Sequence, residues 1–462
     1  MQKSKSKKGL SYCEIQQISC DRSRRVHFIG IGGVSMYSLA RLTIDEGAAV
    51  SGSDRENSDR INSLGLLGAK TFVGHSEKNI AGADLVVYSH AISPDNPELK
   101  EAKRLGIPSV SRAEYLGALM LGYHNRIGVS GSHGKSSTVA MLDAIFSYAK
   151  CAPTTLSGAD LPIGEPIRDG GRSFMIYEAC EYKDSFLRFS PTVAVALNLE
   201  LDHTDYFGSL DEIKASFAKA LSRATNFALI SGDDENLQSI LKDINTKVIT
   251  FGGGEHNHYR YDITSFKDVG FSFSLFRGGV KIGNFEINIP GAFNLHNATA
   301  AIAVALECGI DVQTISEAIS LFKGIPRRLE PIGQRLGRSV YYDYAHHPTE
   351  IKASLDALRM LTRAPLTVVF KPHTYSRTKS LWNELCSSLS EADHILLTDI
   401  YPAREEAIEG ISSERLAESI GSKAIYCQDN DVIKYIDLYT KGVIVLMGAG
   451  DVEEIKRNIL KF

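Results

Sequence analysis

The sequence predicts an α/β protein with several domains. At 462 residues the chain is too long for one ordinary core, so about two to four domains are expected. Short apolar runs typical of buried strands alternate with segments whose apolar residues recur at helical spacing, which is the pattern of parallel sheets. Two of the strand–helix pairs are joined by glycine-rich turns, at residues 30–35 and 131–137.

Breaks in this pattern divide the chain into a tail and three domains. We expect a disordered basic tail at 1–22, a Rossmann-like domain at 23–122, a central domain with a phosphate-binding loop (P-loop) at 123–325, and a C-terminal Rossmann-like domain at 326–462. Residues 259–291 consist of short alternating runs with glycine turns, so antiparallel strands should extend the mainly parallel central sheet.

Composition excludes several classes of protein. The formal net charge is −4 and the clearest basic run is confined to residues 1–10, so no nucleic-acid partner is expected. The chain has no run of about 18 apolar residues and no apolar centre of a signal peptide, so we expect a cytoplasmic protein without a membrane partner. The seven cysteines lack C-x-x-C spacing, which indicates neither a disulfide framework nor a zinc site.

The turn at residues 131–137 predicts a nucleotide site. Its backbone N–H groups and the dipole of the following helix would attract an anion. Lys135 supplies a mobile positive charge for terminal phosphates, and Ser136 offers a hydroxyl to a magnesium ion. Val129 stands where the common P-loop pattern opens with glycine. The alternative is an ordinary glycine–serine turn before a surface helix. The residues of the predicted site are Gly131, Ser132, His133, Gly134, Lys135, Ser136 and Ser137.

The turn at residues 30–35 begins as a dinucleotide-binding fingerprint. It contains Gly30, Gly32 and Gly33, but its last position is Ser35 instead of glycine or alanine. Asp54 follows about twenty residues later and could hold a ribose hydroxyl. A nicotinamide-dependent dehydrogenase therefore stays open as an alternative at this stage.

Two acidic positions follow predicted strands in the central domain. Glu178 ends one apolar run, and Asp202 with His203 ends the next. In open α/β sheets ligands bind at the carboxyl ends of strands, where the phosphate loop also lies. A carboxylate there can hold the magnesium of a nucleotide, and a neutral histidine can hold a second ion. The alternative is that these side chains only cap loops.

The C-terminal domain contains further histidines and arginines whose spacing alone assigns no role. The adjacent histidines could be metal ligands or exposed bases, and paired arginines are most often surface ion-pair partners. These residues are Arg327, Arg328, Asp343, His346, His347, His373 and Arg377.

Taken together, the motifs resemble the Mur ligase family of peptidoglycan synthesis. They follow one another along nearly the whole chain: HFIGIGGVSM, ISPDNPE, GSHGKSST, LELDHTDYF, FNLHNATAA, RRLEPIG, DYAHHPTE, KPHTYSRT, YPAREEAIEG and GAGD. The resemblance is strongest to members that join L-alanine to UDP-N-acetylmuramate with ATP through an acyl phosphate. Members that attach a murein tripeptide are the alternative.

The resemblance also implies a role for individual residues. The first glycine loop, with Asp54 and Ser89, would bind the UDP-sugar, and no nicotinamide would be involved. Lys135 and Arg328 would act on the transferring phosphate, with two magnesium ions held by Ser136, Glu178 and His203. Asn297 would contact adenine and Asp343 the ribose region. His347 and Arg377 would bind L-alanine in a C-terminal domain that closes on ATP. For such an enzyme we expect a monomer or a weak homodimer.

The chain departs from the family pattern at four positions. Cys180 replaces an acid of the Glu-Ala-Asp-Glu motif, and His90 replaces a serine. Phe293 replaces a histidine, and Thr374 replaces an arginine. These departures keep a second alternative open, a catalytically inactive relative that binds the UDP-sugar.

Overall fold

The computed structural model describes residues 10–203, 206–267, 269–403, 405–439, 441–450 and 452–460. The chain has the expected three-domain α/β fold, with one sheet in each domain. Its described residues form two compact units. The first lies within 1–261, 275–283 and 298–319, and the second within 262–274, 284–297 and 320–462. Within the described residues, no helix combines the length and apolar character needed to cross a bilayer.

The N-terminal sheet has five parallel strands in the order β3-β2-β1-β4-β5. The strands are β1 Arg25–Ile29, β2 Ala49–Asp54, β3 Lys70–Val73, β4 Leu85–Tyr88 and β5 Ser109–Ser111. The helices are α1 Tyr12–Ser19, α2 Val34–Glu46, α3 Asp59–Leu66, α4 Pro97–Leu105 and α5 Arg112–Leu119. This topology places the first glycine loop at the carboxyl end of the central strand β1.

The expectation of a disordered tail is wrong for residues 12–19, which form α1. Ser11 caps this helix and Glu14 returns the capping bond, while Ile15 is buried in the apolar core. The same core cluster continues from β1 and α2 into the central domain as far as Ile244. Capping and one buried face thus stabilise a segment whose polar composition predicted disorder. Residues 1–9 of the tail lie outside the described residues.

The central sheet has ten strands in the order β15-β14-β13-β12-β11-β10-β6-β9-β7-β8. The strands are β6 Asn125–Ser130, β7 Thr154–Leu156, β8 Ile167–Arg168, β9 Phe174–Glu178, β10 Val193–Ala196, β11 Phe227–Ser231, β12 Val248–Gly252, β13 Tyr259–Phe266, β14 Phe271–Arg277 and β15 Val280–Ile287. The helices are α6 Lys135–Tyr148, α7 Leu210–Leu221, α8 Glu235–Ile240, α9 Ala292–Glu307 and α10 Val312–Leu321. The two-residue connection between β14 and β15 requires them to be antiparallel, as expected.

The C-terminal sheet has six strands in the order β16-β17-β21-β18-β19-β20, all parallel except the pair β16–β17. The strands are β16 Glu330–Arg335, β17 Arg338–Asp343, β18 Leu366–Phe370, β19 His394–Leu397, β20 Ala424–Tyr426 and β21 Val443–Met447. The helices are α11 Pro348–Leu361, α12 Tyr375–Ser380, α13 Trp382–Leu389, α14 Ser413–Ile420, α15 Val432–Tyr439 and α16 Glu453–Ile459.

Candidate functional site

The central phosphate loop connects β6 to α6. Gly131 and Gly134 have positive φ angles of 142° and 82°, a region that favours glycine. A Cβ on Gly131 would lie 3.1 Å from the Cβ of Leu197, so the position also requires a small residue. Gly134 is the N-cap of α6, and the helix N–H groups that follow it point toward the loop. The backbone therefore forms an anion-binding turn.

The segment that follows β10 holds this loop in place. The side-chain amide of Asn198 accepts a hydrogen bond from the backbone N–H of His133 at 2.8 Å. The same amide donates a hydrogen bond to the His133 carbonyl at 3.1 Å. The backbone N–H of Glu200 donates to Ser132 Oγ at 2.9 Å, and the Glu200 carboxylate lies 3.2 Å from His133 Nε2. The sequence analysis assigned no role to Asn198 or Glu200, although Glu200 lies in the LELDHTDYF motif and Asn198 directly precedes it.

Lys135 is paired with a buried carboxylate. Its Nζ lies 3.1 and 3.2 Å from the two carboxylate oxygens of Glu181, which is 1% exposed, and it also donates to the Gly131 carbonyl. Burial alone would lower the pKa of Lys135 and raise that of Glu181. The attraction between the two charges outweighs burial, so the pKa of Lys135 is raised and that of Glu181 is lowered. Both groups are therefore charged near neutral pH.

His203 belongs to the same cluster, although the expected strand does not reach it. β10 ends at Ala196, seven residues earlier, because the chain turns away to hold the phosphate loop. His203 Nε2 lies 3.5 Å from Glu181 Oε1, and its ring lies 4.7 Å from that of Tyr182. The structure therefore brings Lys135 and His203 together around Glu181, to which the sequence analysis assigned no role.

Glu178 ends β9, beside the strand that leads into the phosphate loop. The register pairs it with Val129 of β6. Its Oε1 accepts from the backbone N–H of Gly158 at 2.5 Å and from Ser157 Oγ at 3.4 Å. Ser136, in the first turn of α6, is buried near the same sheet edge. The Glu178 carboxylate and the Ser136 hydroxyl are oxygen donors of the kind that magnesium prefers.

The first glycine loop has similar backbone geometry but different side chains. Gly30 has a φ of 82°, and Gly33 is the N-cap of α2. The backbone N–H groups of Gly30 and Ile31 donate to the Ser53 carbonyl at 2.8 and 3.0 Å. Asp54, at the end of β2, accepts from the N–H of Gly32 at 2.9 Å. Near the end of β4, Ser89 Oγ accepts from the N–H of Ala91 at 3.3 Å.

A buried polar network supports this loop from behind. Glu98 of α4 is fully buried and accepts from Ser53 Oγ at 2.6 Å and Asn79 Nδ2 at 2.6 Å. Its carboxylate also lies 3.3 Å from His27 Nε2. Burial would raise the pKa of Glu98, but these hydrogen bonds lower it. Glu98 was part of the ISPDNPE motif, and its supporting role depends on contacts that the sequence does not show.

Arg328 and Asp343 lie close to one another in the C-terminal domain. Asp343 ends β17 and accepts from Leu329 N, Ala345 N and Ser354 Oγ at 3.2, 2.9 and 2.8 Å. Its carboxylate thereby fixes the turn that carries Arg328, and burial raises the pKa of Asp343. The Arg328 guanidinium lies 3.8 Å from the Glu350 carboxylate.

His347 and Arg377 lie at the N-terminal ends of α11 and α12 in the C-terminal domain. His347 caps α11, with its Nδ1 accepting from the N–H of Thr349 at 3.4 Å. Arg377, in the first turn of α12, donates to His373 Nδ1 at 3.3 Å. Burial, with the nearby charges of His346 and Arg377, lowers the pKa of His373 to about 4. His373 is therefore neutral at physiological pH and can accept this bond.

Asn297 and three of the positions that depart from the family pattern have different surroundings. Asn297 lies on α9 and is 3% exposed. Phe293, which stands at a family histidine position, packs against the apolar core of the C-terminal domain. Cys180 is partly exposed, and burial raises the pKa of its thiol, so it is a poor substitute for an ionised acid. Thr374 caps α12 with a positive φ of 61°.

Three family models match successive parts of the chain. The model for the Mur ligase family catalytic domain matches residues 25–124, that for the Mur ligase middle domain 129–305, and that for the Mur ligase glutamate ligase domain 327–450. The UDP-N-acetylmuramate–L-alanine ligase of Caldanaerobacter subterraneus subsp. tengcongensis is 39% identical over 96% of this chain and 99% of its own. This chain belongs to the Mur ligase family.

Other Mur ligases are similar along their whole length. The UDP-N-acetylmuramate–L-alanine ligase of Acetivibrio thermocellus is 41% identical over 96% of both chains. The crystal structure of the UDP-N-acetylmuramate–alanine ligase of Thermotoga maritima superposes with a TM-score of 0.81 at 26% identity, covering 94% of this Mur ligase and 98% of that chain. The three-domain α/β architecture is therefore shared with this solved structure.

Proposed function

We propose that this Mur ligase joins L-alanine to the lactyl carboxylate of UDP-N-acetylmuramate with the energy of ATP. The observation that carries the proposal is the cluster of Lys135, Glu181 and His203 beside the glycine turn at the start of α6. Similarity over nearly the whole chain to ligases of this name supports the choice of substrates. A dehydrogenase reaction at the first loop would leave this cluster without a role.

The side chains around the glycine turn at residues 131–137 would suit a nucleoside triphosphate with magnesium. Lys135 would exchange the Gly131 carbonyl for terminal phosphate oxygens, because anionic oxygens attract its charge more strongly. Ser136, Glu178 and His203 would hold magnesium. Magnesium held there would supply positive charge that offsets the negative charge of the phosphate groups. Glu181 would keep Lys135 charged and aimed at the loop.

The proposed reaction has two steps. The lactyl carboxylate attacks the γ-phosphorus of ATP, which breaks the bond to the β–γ bridging oxygen and releases ADP, leaving an acyl phosphate. The neutral amine of L-alanine then attacks the acyl carbon, expels phosphate and loses a proton to give the amide. Arg377 would bind the alanine carboxylate through two hydrogen bonds, with His347 on the same side of the substrate.

The other assignments also stay proposals. Gly30, Gly32, Gly33, Asp54 and Ser89 would bind the UDP-sugar, whose diphosphate suits the N-terminus of α2. Asn297, Arg328 and Asp343 would contact the adenine, the terminal phosphate and the ribose region. The domain limits at 122 and 325, two magnesium ions, a cytoplasmic location, and a monomer or weak homodimer belong to the same proposal.

The test is ADP release by the purified protein with ATP, magnesium, UDP-N-acetylmuramate and a panel of acceptors. The panel contains L-alanine, glycine, L-serine and a murein tripeptide. We expect ADP release to depend on the UDP-sugar and to have the highest kcat/KM with L-alanine. A preference for the tripeptide would identify the alternative ligase. Absence of ADP release with every acceptor, in a protein that binds UDP-N-acetylmuramate, would favour the inactive relative.

A further inference from the structure

The loop at residues 157–166 closes the antiparallel hairpin of β7 and β8. The backbone N–H of Ser157 donates to the Pro166 carbonyl at 2.9 Å, and that of Leu161 donates to the Glu165 carbonyl at 2.9 Å. Leu161 itself is fully buried. These bonds and the buried anchor hold the loop in one conformation, so a force on one part of it is transmitted to the others.

The start of this hairpin loop holds the carboxylate of Glu178. The backbone N–H of Gly158 donates to Glu178 Oε1 at 2.5 Å, with Ser157 Oγ at 3.4 Å from the same oxygen. A Cβ on Gly158 would lie 2.8 Å from Glu178 Oε2, so the backbone approaches the carboxylate as closely as glycine permits. The position of Glu178 therefore depends on the position of the loop.

The other end of the hairpin loop is held by helices of the N-terminal domain. The hydroxyl of Tyr37 on α2 donates to Glu165 Oε2 at 2.9 Å, and Tyr37 is 1% exposed. Arg60 of α3 lies 3.3 Å from Asp160, but both side chains are about one-third exposed, so this ion pair is the weaker contact. The hydrogen bond from the buried Tyr37 hydroxyl to the Glu165 carboxylate is the stronger of the two contacts.

Tyr37 also connects directly to the first glycine loop. Its backbone N–H donates to the carbonyl of Gly33 at 2.8 Å, and Gly33 is the N-cap of α2. Hydrogen bonds thus lead from Gly33 through Tyr37 to Glu165, and from Gly158 to Glu178. Between them the backbone of the hairpin loop completes the path, because Pro166, next to Glu165, is hydrogen-bonded to Ser157, next to Gly158.

We propose that the hairpin loop couples occupancy of the first glycine loop to the position of Glu178. Tyr37 and Glu165 are then positioning residues. When a UDP-sugar orders the start of α2, they hold Glu178 where it can bind magnesium, and the complex of magnesium with ATP binds more tightly. The inference rests on the proposed function, because it takes UDP-N-acetylmuramate and magnesium–ATP as the two ligands.

The test is calorimetric titration with magnesium and the non-hydrolysable ATP analogue AMP-PNP, with and without saturating UDP-N-acetylmuramate. For the unchanged protein we expect the Kd of the analogue to fall by about fivefold or more when the sugar nucleotide is present. Tyr37→Phe and Glu165→Gln each remove one partner of the connecting hydrogen bond. In both variants the ratio of the Kd without the sugar nucleotide to the Kd with it should approach one. The Kd of the analogue without the sugar nucleotide should change by less than about twofold.

Tyr12→Phe is the matched control. The Tyr12 hydroxyl also joins the N-terminal region to the central domain, by donating to the Arg188 carbonyl at 3.1 Å, but this bond has no connection to Glu178. We expect Tyr12→Phe to keep the ratio of the unchanged protein. A ratio of one in the unchanged protein, or an undiminished ratio in both Tyr37→Phe and Glu165→Gln, would overturn the inference. Failure of the unchanged protein to bind either ligand would instead contradict the proposed function.

Discussion

The two glycine loops, at residues 30–35 and 131–137, have similar backbone geometry but differ in the charged side chains beside them. Each follows a central parallel strand, has a glycine with positive φ, and ends at a glycine N-cap, Gly33 or Gly134. At the first loop the Asp54 carboxylate accepts a hydrogen bond from the N–H of Gly32. At the second, the cation Lys135 is held by the buried carboxylate of Glu181.

Under the proposed function, this difference separates holding a phosphate from transferring one. A helix N-terminus and its N–H groups suffice to bind an anion that does not react. Transfer of a phosphoryl group needs positive charge where negative charge develops, and that charge must be positioned in advance. The backbone thus accounts for a phosphate group at either loop, and the side chains decide which loop performs the chemistry.

The largest effect should follow from Lys135→Ala. Removing a preorganised positive charge from the transferring phosphate should lower kcat by about 1,000-fold. The Kd of UDP-N-acetylmuramate should stay within about twofold, because hydrogen bonds at the other loop are untouched. ADP release and calorimetry measure the two quantities. Loss of sugar-nucleotide binding in a folded Lys135→Ala protein would mean that the loops are assigned to the wrong ligands.

This substitution also leaves Glu181 buried without its partner, which should reduce stability by about 3 kcal/mol. The double variant Lys135→Ala with Glu181→Gln removes the unpaired charge and serves as the control. It should recover most of the lost stability in urea unfolding, and its turnover should stay as low as that of Lys135→Ala. Recovered turnover would show that Lys135 acts only on stability.

Asp54→Ala should affect the first loop alone. Without the acceptor for the Gly32 N–H the loop is less ordered, and the Kd of UDP-N-acetylmuramate should rise about tenfold. The Kd of magnesium–AMP-PNP, measured without the sugar nucleotide, should be unchanged. An equal loss of affinity for both ligands would contradict the assignment of a different nucleotide to each loop.

Glu178→Gln and His203→Ala should raise the magnesium concentration needed for half-maximal rate by about tenfold, since each removes one proposed ligand. Neither residue is a core side chain, so the proteins should remain folded. The measurement is ADP release against magnesium concentration. An unchanged magnesium dependence in both variants would contradict a metal site at the second loop.

Arg377→Lys should leave both glycine loops unaffected and raise the KM for L-alanine by about tenfold. Lysine keeps the charge but cannot form two parallel hydrogen bonds to a carboxylate. Initial rates with each substrate varied in turn give the three KM values. An unaltered alanine dependence would remove Arg377 from the amino-acid site.

The smallest effect concerns the neutral histidine beside Arg377. The pKa of His373 is lowered from 6.5 to about 4 on folding, so the unfolded chain binds more protons between these pH values. The free energy of unfolding should therefore fall as the pH is lowered through this window, by at most about 1.4 kcal/mol per pH unit for this one group. His373→Asn keeps an acceptor for Arg377 and should flatten the slope in urea unfolding between pH 6.5 and pH 4. A slope that does not change would place the pKa of His373 near its usual value.

The sequence predicted those parts of the molecule that depend on local patterns. The strand–turn–helix at Lys135, the position of Glu178 at a strand end, and the antiparallel pair β14–β15 all follow from short-range spacing and are confirmed. The helix α1 was not predicted, because burial of Ile15 against distant residues is not visible in the sequence; its capping residues Ser11 and Glu14 were a local signal that the sequence analysis missed.

The sequence could not identify the partners within the site. Glu181 lies 46 residues after Lys135, and only the fold brings the two side chains within 3.1 Å. The strand expected to reach His203 is present but ends at Ala196, because Asn198 leaves the sheet to hold the phosphate loop. Which acid pairs with which base is a tertiary property, so spacing could indicate the kind of site without its internal connections.

The most direct test of the account is a crossed titration of two variants with two ligands. Lys135→Ala and Asp54→Ala are each titrated with UDP-N-acetylmuramate and, separately, with magnesium–AMP-PNP. The account predicts that Lys135→Ala loses at least about tenfold in affinity for the ATP analogue only, and Asp54→Ala about tenfold for the sugar nucleotide only. If either variant lost affinity for the opposite ligand, or for both ligands equally, the assignment of one nucleotide to each glycine loop would be contradicted.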